Sequence, residues 1–172
     1  GGLPYTIVAL ADPGYTFVNW TAGPGTAAFG DAALASTTVT DVGTPPADVT
    51  VTANFGTIDI LASTASVTVT EGDPAGATFN VQLSASPPPA TTVTVDVVSG
   101  DTAVATVSTA TLNFTSVNWN VDQPVTVLGT EDANTSNDPT TITLSGTTGS
   151  DDTVAVTARS EIGVWYGPTI WS

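Results

Sequence analysis

Alternation of apolar and polar residues with a period of two constrains this chain most. In "ATFNVQLSA" (Ala77–Ala85), Phe79, Val81 and Leu83 fall on one face and the polar residues on the other. The same rhythm returns in "TTVTVDVVS" (Thr91–Ser99), "DQPVTVLGTED" (Asp122–Asp132), "TTITLSG" (Thr140–Gly146) and "DTVAVTA" (Asp152–Ala158). No helical period appears anywhere. A strand-period pattern puts every second side chain in a core, so the fold class is all-β. Composition agrees: Val, Ala, Ile and Thr dominate, Gly and Pro punctuate, and strong helix formers such as Lys, Arg, Met and Gln are nearly absent.

Two units and a tail follow from the spacing of the turns. Residues 1–56 hold "YTIVALA" (Tyr5–Ala11), the turn residues Pro13 and Gly14, and the return strand "YTFVNW" (Tyr15–Trp20). A Gly/Pro loop, "STTVTDV" (Ser36–Val42) and "VTVTANF" (Val49–Phe55) follow, four alternating runs in a small module whose turn spacing suggests five short strands. Residues 57–160 supply seven or eight strands over roughly a hundred residues, the spacing of an antiparallel β-sandwich. Residues 161–172, "EIGVWYGPTIWS", form an extended aromatic tail. Ile162, Val164 and Tyr166 share one face of that tail, with Trp165 opposite and Ile170 and Trp171 beyond.

Charge excludes several functions. Sixteen carboxylates stand against one cation, Arg159, for a formal charge of −15. Nucleic acid and anionic membrane surfaces require Lys or Arg, so neither is a partner. No apolar run approaches the roughly 20 residues that span a bilayer, which argues against membrane insertion. The chain has no His, Cys or Lys, which removes the common general bases, thiol nucleophiles and Schiff-base lysines. The expectation is a protein that is not an enzyme. Acidity, Thr/Val-rich strands and missing Lys favour a secreted protein, extracellular or on a cell surface. The opening Gly-Gly-Leu, without Met, reads as a processed or partial chain.

Two segments resemble known families. "ALADPGYTFVNW" (Ala9–Trp20) and "VTVTANF" (Val49–Phe55) resemble the divergent internalin B-type repeat, a bacterial surface module with a β-grasp-like fold. That resemblance implies core roles for Phe17 and Trp20, and it implies an incomplete module, because family members begin with a further strand pair. "SVTVTEGDPAGATFNVQLS" (Ser66–Ser84), "SGDTAVATVSTATLNFTSVNWN" (Ser99–Asn120) and "QPVTVLGTEDANTSND" (Gln123–Asp138) resemble Calx-beta-like and immunoglobulin-like bacterial surface sandwiches. This second resemblance implies modules along a stalk, with an adhesive, structural or calcium-stiffened role.

Candidate sites follow. No cofactor is required by the residues. Calcium is the metal that oxygen-rich loops would suit, and Glu71, Asp73, Glu131, Asp132 and Asp138 are its candidate ligands. The Calx-beta resemblance adds weight to the first four; the competing reading is solvated acidic turns that keep the surface soluble. Three sequons, at Asn134, Asn19 and Asn113, are weaker candidates for glycans. The tail residues Ile162, Val164, Trp165, Tyr166, Ile170 and Trp171 are candidate subunit-interface anchors. A module short of strands and a tail shaped like a strand suggest self-assembly: a homopolymer built head to tail by β-strand addition. The alternative is a fragment of an adhesin with a protein- or glycan-binding role.

Overall fold

The computed structural model describes residues 3–43, 48–147 and 150–160. All regular structure among them is β. Five strands form the first unit: β1 (Tyr5–Val8), β2 (Tyr15–Ala22), β3 (Ala28–Phe29), β4 (Ser36–Asp41) and β5 (Val51–Thr57). They make two small sheets, ordered β1-β4-β3 and β2-β5. β2 and β5 pair antiparallel with a bulge at Val18. Among the described residues neither of these two strands has a second ladder partner, and the Trp20 N–H bonds the Ala32 carbonyl at 2.8 Å, which covers part of the β2 edge.

Nine strands form the second unit: β6 (Ile60–Ala62), β7 (Ser66–Thr70), β8 (Ala77–Leu83), β9 (Val93–Ser99), β10 (Ala105–Val107), β11 (Thr111–Phe114), β12 (Gln123–Gly129), β13 (Asp138–Gly146) and β14 (Asp152–Arg159). They build a sandwich of two sheets, β10-β12-β8-β6 and β11-β9-β13-β14-β7. Its leading strand is split. β6 pairs antiparallel with β8 in one sheet, and after Ser63–Ala65 the chain crosses to pair β7 in parallel with β14 in the other. The short β6 exceeds the strand count expected from the sequence, and the parallel pair departs from an all-antiparallel sandwich. Three residues are too few to show a period, and pairing direction leaves no trace in alternation. A strand that starts in one sheet and continues in the other ties the two sheets of the sandwich together.

The alternating residues fill the space between the sheets. Phe79, Val81 and Leu83 from β8 meet Val93, Val95 and Val97 from β9, with Ile142, Leu144, Val154 and Val156 beside them, all essentially buried. Trp119 packs half-buried against this core, and its carbonyl accepts the Leu83 N–H at 2.9 Å. Burial of the aliphatic side chains contributes about 1.5–3 kcal/mol each, so this core carries the stability of the chain.

The first unit is differently made. Val39 and Trp20 are its large buried side chains, and Trp20 donates its indole N–H to the Leu34 carbonyl at 3.0 Å. Phe17 stacks at tilted angles on Trp20 and Phe55, with ring centroids 5.5 and 6.0 Å apart. Eight large hydrophobics in residues 3–55 are exposed, against four in the whole described sandwich. Fewer than sixty residues cannot enclose that much apolar surface. The junction between the units is short and pinned. The Ile58 N–H bonds the Gly14 carbonyl at 2.8 Å while the Ile58 side chain lies fully buried in the sandwich core. Asp59 and Ser84 then exchange two hydrogen bonds.

Candidate functional site

The residues expected to bind metal lie at one end of the sandwich, the pole opposite the first unit. Here β7, β12 and β14 end and β13 begins. Two glycines let the loops meet. At Gly129 a side chain would strike the Thr70 carbonyl at 2.7 Å, so only Gly lets the end of β12 close on β7. Gly72, at φ +69°, turns the chain sharply after Glu71, and its N–H bonds the Gly129 carbonyl at 3.2 Å. The Glu71 N–H meanwhile bonds the Arg159 carbonyl at 2.9 Å, extending the β7–β14 ladder by one residue. Glu71 is thereby drawn inward until only 6 % of it is exposed.

Carboxylate oxygens of Glu71, Asp132 and Asp138 lie within 4.8 Å of one another. Two oxygens sharing a calcium ion at 2.3–2.6 Å sit at most about 5 Å apart, so the three suit one ion. Glu71 and Asp132 line a cavity of about 160 Å³ together with Gly72, Glu131, Asn134 and Ser160. Main-chain oxygens adjoin it. The Ser160 hydroxyl lies 3.2 Å from Glu71 Oε2, 3.3 Å from the Asn134 carbonyl and 3.0 Å from the Ser136 carbonyl. The chain's cation offers no relief: the Arg159 side chain is exposed, and its contribution here is a backbone carbonyl. Like charges so close repel one another, less where Asp132 is exposed to solvent.

Five carboxylates were candidate ligands, and their positions differ. Glu71, Asp132 and Asp138 converge. Glu131 lines the cavity with its Oε2 against Gly72. Asp73 stands outside the converging group, and its Oδ1 accepts the Ala75 N–H at 2.9 Å to close its own turn. Sequence reasoning missed Ser160 as a part of this pole. A lone Ser after a strand carries no signal; the parallel β7–β14 pair brings it there.

The sequon asparagines are also placed. Asn134 Nδ2 donates to Asp132 Oδ2 at 2.5 Å and to Asp138 Oδ2 at 3.5 Å. That amide cannot carry a glycan and serve the cluster together. Asn19 Oδ1 accepts from Asn54 Nδ2 at 2.8 Å across β2–β5, and Asn113 Oδ1 accepts from Thr94 Oγ1 at 3.0 Å. The candidate interface residues Ile162, Val164, Trp165, Tyr166, Ile170 and Trp171 lie outside the described residues.

At the other pole a groove of about 610 Å³ opens between the two units. Leu10, Phe17 and Leu34 line it from the first unit, and Pro87, Pro88 and Pro89 from the loop after β8. Leu10 and Leu34 are 86 % and 55 % exposed.

Comparisons with known proteins complete the description. Residues 1–59 match the family model of the divergent InlB B-repeat domain. Among solved structures, the chain is similar to the E. coli chaperone DraB at 9 % identity and TM-score 0.45, covering 59 % of this chain and 55 % of that one. It is similar to domains 1–6 of the surface layer protein SbsC at 20 % identity and TM-score 0.44, covering 86 % of this chain and 20 % of that one. For SbsC domains 4 and 5 the values are 22 %, 0.43, 85 % and 70 %. The chain thus spans about half of the DraB chain and a fifth of the six-domain SbsC chain. No curated protein matches the chain.

Proposed function

We propose that this protein is a non-enzymatic structural subunit of an extracellular or cell-surface filament, sheath or stalk, assembled head to tail by β-strand addition. The observation that carries this reading is the first unit. Its two-stranded β2–β5 sheet has no further ladder partner among the described residues and eight of its large hydrophobics are exposed, a combination that favours pairing with another chain. The match of residues 1–59 to a repeat domain named for InlB supports a surface setting. The segment 161–172 supplies the alternating apolar pattern that an added strand needs.

Deleting residues 161–172 tests the reading. Full chain at increasing concentration forms long assemblies visible by electron microscopy, and the shortened chain stays monomeric in light scattering. Assemblies of unchanged length from the shortened chain would refute strand donation by this segment.

The second element of the proposal is a divalent cation, calcium by its preference for oxygen, held by Glu71, Asp132 and Asp138 with the Asn134 and Ser136 carbonyls nearby. It would neutralise the crowded carboxylates and stiffen the pole from which residues 161–172 depart. An adhesin with a glycan-binding surface is the second reading, favoured by Tyr5 and Tyr15, which are 46 % and 45 % exposed. A monodisperse monomer that binds glycans would select it.

A further inference from the structure

We infer that the groove between the two units is the acceptor site, and that residues 161–172 of a second copy of this chain occupy it. The inference rests on the self-assembly reading above and adds the place where the donated strand docks. Three observations carry it. The first is chemical. Leu10, Phe17, Leu34 and Pro87–Pro89 make an apolar lining, and the sequence spacing of Ile162, Val164 and Tyr166 would give an added strand an apolar face of matching character. The prolines present a stiff wall without N–H donors, which suits side-chain packing.

The second observation is one of polarity. Strand register puts the groove and the chain exit at opposite poles. β8 ends beside β6, where Leu83 pairs with Ile60 and Ser84 bonds Asp59, and Pro87–Pro89 follow at that pole. β14 starts near the same pole and ends at Arg159, alongside Thr70 at the other. The described chain therefore ends, at Ser160, at the acidic pole. Docking on a neighbour stacked end to end gives a heterologous contact that repeats without closing.

The third is a matter of reach. β14 has eight residues and spans about 26 Å at about 3.3 Å per residue. A segment folded back on its own molecule consumes that distance before reaching the groove. Within its own molecule Tyr166, six residues past Ser160, falls short at about 20 Å, and only the last part of the segment, Ile170 and Trp171, reaches that far at about 33–36 Å. In a neighbouring copy all of Ile162, Val164 and Tyr166 can enter.

The test places a photo-cross-linker in the full chain as Tyr166→p-benzoylphenylalanine, with isotopically light and heavy protein mixed before illumination. Cleavage after Arg159, the one tryptic site, frees the labelled segment for mass spectrometry. The expected result is mixed-isotope cross-links to the segments around Leu10, Leu34 or Pro87–Pro89. Leu34→Asp, at an exposed position, should raise the concentration needed for assembly by roughly tenfold or more, because it places a charge against the docked strand. Val121→Asp, equally exposed in a sandwich loop, should leave that concentration unchanged. Cross-links between copies that map elsewhere would overturn the groove as acceptor and leave self-assembly standing. Cross-links within a copy, or a chain that stays monomeric at every concentration, would overturn the assembly reading and the groove with it.

Discussion

Glu71 is the residue on which the acidic pole turns. It is a buried carboxylate, its oxygens meet those of Asp132 and Asp138, and one of them accepts a hydroxyl hydrogen bond from Ser160. Such an arrangement is costly without a cation and favourable with one. Glu71→Gln therefore separates a metal site from a merely structural one by sign. In chelator the variant should be at least as stable as the parent, since one repelling charge is gone. In about 10 mM calcium the parent should gain roughly 1.4–2.7 kcal/mol, taking a dissociation constant of about 0.1–1 mM. That is about 3–10 °C in Tm for a chain of this size, and the variant should lose most of it. A parent melting temperature indifferent to calcium would remove the site. The glycines behind the geometry are as specific as the acids, because a Cβ at Gly129 would push β12 away from Thr70.

Individual strands differ in what they stabilise. β8 carries three core residues, and Phe79→Ala should cost about 3–5 kcal/mol, a large share of a typical domain's stability. Denaturant unfolding followed by Trp119 fluorescence reads this change, since Trp119 packs on the same core. Trp20→Ala should act differently. It removes the main aromatic of the first unit and its hydrogen bond to Leu34, so β2–β5 amides should lose hydrogen-exchange protection while β8 amides keep theirs. Equal loss of protection in both units would mean that the two unfold as one. The alternating runs made β8, β9, β12, β13 and β14 legible in the sequence, since each buries every second residue. β3 and β6, of two and three residues, were too short to read.

Across the whole molecule, the formal charge of −15 opposes any contact between copies. Assembly by the proposed head-to-tail route should therefore be favoured by salt. Raising sodium chloride from about 0.01 M to 0.15 M shortens the screening length from about 30 Å to about 8 Å, and the concentration needed for assembly should fall. Light scattering across a salt series measures it, and assembly that weakens with salt would contradict an apolar junction between acidic subunits. Calcium should act beyond its ionic strength if the acidic pole of one copy meets the first unit of the next.

The amino-acid sequence by itself determined the all-β class, the inward faces of the long strands and the acidic character of two loops. Those properties are local, written in a two-residue period and in turn residues that act over a few positions. Which acids converge, where Ser160 lies, and that a groove and the chain exit occupy opposite poles were decided only by the tertiary structure. They depend on strand order and on the parallel β7–β14 pair, contacts between residues up to about ninety positions apart, which no local pattern encodes.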